Sequence, residues 1–99
     1  MRIGNVIGRV TLSQALPGMR GARWLVVSPM NRETLQKLPG DPGMSDDYSV
    51  SVYDDLGAGP GELIGFIEGR EAASPFDPPI PIDAINGAIL DQVTYRPVL

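Results

Sequence analysis

The sequence contains neither cysteine nor histidine. Without cysteine there is no disulfide, no thiolate nucleophile and no thiolate-bound metal. Without histidine, the commonest general base at neutral pH and the commonest transition-metal ligand are both missing. Carboxylates, hydroxyls, Lys37 and the phenols of Tyr48, Tyr53 and Tyr95 are what remain for chemistry, a poor set for an enzyme of 99 residues. Basic charge is scarce too: eight Lys and Arg stand against twelve Asp and Glu, for a net charge of −4. Nucleic-acid binders draw affinity from a clustered basic face. Here Arg2 and Arg9 are isolated, and Arg20 with Arg23 make only a pair. No apolar run approaches the ~20 residues that cross a bilayer. Met1–Val6 has no apolar core of a secretory leader, so the expected location is the cytosol. The length fits one domain over residues 1–99, and 42% apolar residues set it apart from disordered chains.

Glycine, by contrast, is abundant, and three of the twelve fall at alternate positions in Asp54-Asp55-Leu56-Gly57-Ala58-Gly59-Pro60-Gly61-Glu62. Each glycine costs about 0.5–1 kcal/mol of folding entropy relative to alanine. Such a run marks a tight crossing, a bulge or a close approach to another backbone. It is not a phosphate cradle. Gly61 is followed by Glu62 and Leu63 instead of the Lys-Ser/Thr of a P-loop, and the next segment reads as a strand where a dinucleotide fold needs a helix. In place of a ligand, Asp54 is expected to hold the loop by accepting from its amides.

Around this loop the period is near two. Strands are expected at Arg2–Leu12, Arg23–Pro29, Tyr48–Tyr53, Leu63–Gly69 and Ile85–Val93. Gly4 and Gly8 on one face of the first suggest a sharp bend. Ser13–Gly21 reads as a loop. Met30–Asp47 reads as a polar, mobile surface connection with a helical turn over Asn31–Leu38, capped by Asn31. Asp46 and Asp47 lack the alternating oxygen ligands of a calcium loop. Arg70–Ser74 is a short helix-prone link. Pro75, Pro78, Pro79 and Pro81 keep the following chain extended and out of any ladder. Asp83 is expected to cap a turn with its side chain, and the tail from Tyr95 to dock. The three tyrosines read as core-edge packing. Trp24 reads as core or rim packing, or as an interface anchor. Five short, glycine-punctuated strands point to an all-β fold, a small five-stranded OB-like barrel with a short helical turn.

Four blocks carry a family resemblance across nearly the whole chain. They are Met1-Arg2-Ile3-Gly4-Asn5-Val6-Ile7-Gly8, Gly21-Ala22-Arg23-Trp24-Leu25-Val26-Val27, the glycine loop Asp54–Glu62, and Pro81-Ile82-Asp83-Ala84-Ile85-Asn86-Gly87-Ala88-Ile89-Leu90-Asp91. In this order and spacing the chain resembles the EutN/CcmL family of bacterial microcompartment vertex proteins. The longer Met30–Asp47 connection, and Ala88 where the family often has Ile, depart from its pattern. The resemblance implies a homopentameric ring with no catalysis, no metal and no cofactor. It further implies hexameric and trimeric shell proteins as partners, no nucleic acid or membrane, and a place in a microcompartment shell in the bacterial cytoplasm. Asp54, Gly57, Ala58, Gly59, Gly61 and Glu62 would then lie at the subunit interface. The glycines would leave room for a neighbouring backbone, with Glu62 pairing across the seam. Two other readings stand beside this one. The first is an OB-type module for single-stranded nucleic acid or another ligand. The second is an enzyme using Asp54 and Glu62 as paired carboxylates.

Overall fold

Alternating apolar side chains give each strand one face to bury, and five such strands satisfy one another by closing into a barrel in the order β1-β2-β3-β5-β4. The computed structural model describes residues 1–14, 19, 23–73 and 82–95. The strands are β1 (Arg2–Thr11), β2 (Arg23–Pro29), β3 (Val50–Asp54), β4 (Leu63–Glu68) and β5 (Ala84–Ile89). All neighbours are antiparallel except β3 and β5, which run parallel where Tyr53 meets Ile85. Most of the expected loop Ser13–Gly21 lies outside the described residues. So do Pro75, Pro78, Pro79 and Pro81 and the docking of the tail beyond Tyr95.

The core is filled by Phe66, Leu25, Ile64, Val6, Val27 and Val52, joined by Ala84 and Ala58. Each large side chain buried there contributes about 1.5–3 kcal/mol. Gly4 makes room for this packing. A Cβ at Gly4 would collide with Val27 Cγ1 and lie 2.9 Å from Phe66 Cε1. The alternate residues Trp24, Tyr53, Ile67 and Ile85 form a second cluster with Ile82, Ala72 and Ala73. By strand alternation this cluster sits on the opposite side of the sheet. Ala72 and Ala73 come from a 3₁₀ turn over Arg70–Ala73, the expected helix-prone link. Trp24 meets Tyr53 edge-on, with ring centroids 5.6 Å apart, which matches its packing role.

Several boundaries differ from expectation, each for a local reason. β5 ends at Ile89 rather than Val93 because its partner runs out: Leu90 N–H donates to Leu63 O, and before Leu63 lies the glycine loop. β3 begins at Val50, opposite Val27, leaving Tyr48 outside the ladder and 95% exposed, so its expected core-edge packing is not found. Tyr53 does pack at the cluster edge, and Tyr95 is half-buried beside Leu38 and Leu63. In β1 a register shift between Val6 and Gly8 marks the expected bend, and Val10 and Leu12 beyond it are exposed. β1 pairs with β4 over Arg2–Asn5 and with β2 from Gly4 onward, so that from Gly8 to Thr11 it pairs with β2 alone.

The connection from Met30 to Asp47 is fastened to the barrel. Asn5 Nδ2 donates to Gly43 O, Ser45 N–H to Ser28 Oγ, and Ser45 Oγ to Pro29 O at 2.6 Å. Its helix, α1, is shorter than expected, Arg32–Leu35. Asn31 caps it by accepting from Thr34 N–H, while Thr34 Oγ1 accepts from Asn31 N–H, a reciprocal capping box.

Candidate functional site: a glycine loop held by a buried carboxylate

The loop leaves β3 at Asp54 and enters β4 at Leu63, the strand-to-strand setting its composition predicts. Asp54 is the last residue of β3, and its inward side chain is 2% exposed. One carboxylate oxygen, Oδ2, accepts from the N–H groups of Gly57 and Ala58, both at 3.0 Å. The other, Oδ1, accepts from Leu56 N–H and from Asn86 Nδ2, also at 3.0 Å. The expected bonding of loop amides is therefore present, and it is joined by a β5 side chain. Asn86 is 4% exposed and is oriented by a second bond, Ala88 N–H to Asn86 Oδ1 at 3.1 Å. Charge-assisted bonds of this kind are roughly twice as strong as neutral ones, which suits a carboxylate kept from water.

Four donors on one carboxylate curl the chain so that Ala58 turns into the barrel core, 2% exposed. The curl needs φ +90 at Gly57, which an L side chain rarely adopts. The second half of the loop is a separate turn. Glu62 N–H donates to Gly59 O at 3.1 Å, with Pro60 and Gly61 (φ +92) between them, the residue pattern of a type II turn. Glu62 Oε1 closes the same turn by accepting from Gly59 N–H at 2.8 Å. The loop is then stitched to β1, Gly61 N–H to Val6 O at 2.8 Å and Val6 N–H to Glu62 O at 2.9 Å.

The six expected site residues thus divide. Asp54 and Ala58 point their side chains into their own subunit, whereas Gly57, Gly61 and Glu62 are exposed and Gly59 is half-buried. Asp54 and Glu62 serve two different turns through different amides, so the geometry gives no paired-carboxylate centre. Asp83 is exposed, and its backbone carbonyl, not its carboxylate, accepts from Gly69 N–H at 2.8 Å. Asn86 was missed in the sequence. The available signal was an amide at the inward position of an otherwise apolar strand. Arg23 was also missed: its guanidinium lies over the loop, 3.3 Å from where a Gly57 Cβ would stand. Tyr53, just before the loop, has its phenol pKa raised by burial and secondarily by the charge of Asp55.

The same fold is found in solved shell proteins. The structure is similar to CcmL of Gloeobacter violaceus at 28% identity and a TM-score of 0.77, covering 96% of this chain and 90% of that one. It is similar to the GrpN pentameric microcompartment shell protein of Rhodospirillum rubrum at 28% identity and a TM-score of 0.74, covering 98% and 100%. CcmL of Nostoc sp. PCC 7120 gives 25% identity and a TM-score of 0.75, covering 94% and 92%. No curated protein matches the sequence. The family model described as ethanolamine utilisation protein EutN/carboxysome matches residues 1–91, and the chain belongs to that EutN/CcmL family.

Proposed function

We propose that the protein is a structural subunit of a bacterial microcompartment shell, five copies of which form a ring that closes a five-fold vertex. It acts by assembling, not by catalysis. The observation that carries this reading is the end-to-end match to a pentameric shell protein, 98% of this chain against 100% of that one. The OB-type nucleic-acid reading has no such support: the net charge is −4, and the aromatic pair Trp24 and Tyr53 is turned into the second apolar cluster.

A five-fold ring needs a head-to-tail interface whose rotation closes. The part of the glycine loop not buried in its own subunit, exposed Gly57, Gly61 and Glu62 with half-buried Gly59, is the surface we assign to that seam. Its backbone has little side chain to keep a neighbour away, and its shape is set by internal hydrogen bonds. Hexameric and trimeric shell proteins are the partners expected around the ring, and a shell in the bacterial cytoplasm its location. Native mass spectrometry of the purified protein tests the reading. The expected mass is that of five chains; a monomer at micromolar concentration would overturn it.

A further inference from the structure

We infer that Asp54 and Asn86 are positioning residues for assembly: together they preset the shape of the glycine loop before a neighbouring subunit arrives. The inference rests on the seam assigned above. Neither side chain is offered as a contact. Asp54 is 2% exposed and Asn86 4%, so both act through the loop they hold.

The chemistry requires this pair of residue types. Asp54 receives four donors, two on each oxygen. Only an ionised carboxylate offers two acceptor atoms and no donor. An asparagine at position 54 would fail in either orientation. With its amide nitrogen toward Gly57 and Ala58, it faces two N–H groups. Turned the other way, it faces Leu56 N–H and the Asn86 amide. Asn86 is specified in the same manner: its nitrogen must donate to Asp54 while its oxygen accepts from Ala88 N–H. The pair bridges β3 to β5, where the strand ladder is thinnest, with Tyr53 and Ile85 the paired residues. A loop held in its bound shape has less freedom to lose on association, so the benefit appears in assembly as well as in folding.

The test is a swap. Wild type, Asp54→Asn, Asn86→Asp and the double swap are compared by ring dissociation on dilution and by circular dichroism melting. Amide hydrogen exchange at Leu56, Gly57 and Ala58 is followed in the same proteins. Asp54→Asn is expected to raise the concentration of half-dissociation by more than about tenfold, since a buried donor left unsatisfied costs roughly a decade of equilibrium or more. Exchange at the three amides should rise with it while the β spectrum persists. Asn86→Asp sets two carboxylates against each other and should weaken the ring likewise. The double swap restores a donor–acceptor pair between β3 and β5 and should recover part of the loss. Asn86→Ala, which leaves the three loop amides on Asp54, is the milder variant if the others fail to fold. Variants that hold the ring as tightly as wild type overturn the inference. So do variants, Asn86→Ala included, that lose ring and barrel together. A wild-type protein that is itself monomeric overturns the seam reading instead, so the two failures are told apart.

Discussion

At the residue scale, single positions are fixed by what surrounds them. Gly4 is the clearest, because both groups a Cβ would strike belong to the core, Val27 and Phe66. Gly4→Ala is expected to lower stability by about 1–3 kcal/mol through overpacking, read as a drop in the urea midpoint at constant slope. Tyr53 supplies a pH dependence. Its folded pKa is raised by burial first and by Asp55 second. The neutral phenol is therefore favoured in the native state, and that stabilisation is complete below the unfolded pKa of about 10. It is lost as pH rises from there through the higher folded value. Alkaline absorbance titration should show a phenol step above the ordinary tyrosine range that is missing in Tyr53→Phe, and Asp55→Asn should bring that step partway back. Asp54 as the holder of loop amides was legible in the sequence, because an Asp two to four residues before a glycine run is placed to accept from them. Asn86 was not, since its partner is 32 residues away.

At the element scale, alternation located all five strands, and the misplaced ends trace to partners rather than propensities. Val93 continues the apolar pattern of β5, yet past Leu90, which still bonds Leu63 at the start of β4, no strand among the described residues lies opposite. Tyr48 keeps the alternation of β3, but it falls before the first residue paired with β2. The helix of the Met30–Asp47 connection was visible through its Asn31 cap, whereas the fastening of that connection was not. Its anchors, Asn5, Ser28 and Ser45, come from three separate parts of the chain. Ser45→Ala removes the hydroxyl that donates to Pro29 O and is expected to cost about 1 kcal/mol of the loop's local attachment to the barrel rather than of global stability. Its sharper signature is faster proteolysis within residues 40–47, with the barrel's melting midpoint little changed; equal cleavage of both proteins would show that the serine does not fasten the loop.

At the scale of the whole molecule, the barrel was readable from glycine-punctuated strands, and the family from four blocks in order. The parallel β3–β5 closure was not, because it depends on the chain crossing from β4 back to β3. The charge at the centre of the loop is balanced by amide dipoles and an asparagine, with no counter-ion among its bonded partners. Mobile ions screen exposed charges over a Debye length of about 8 Å at physiological salt, but they act far less on a desolvated group. The half-exposed ion pair of Arg2 and Glu68, by contrast, lies open to that screening. A rise in ionic strength would then loosen the fringe of the subunit while leaving the contour of its loop unaltered.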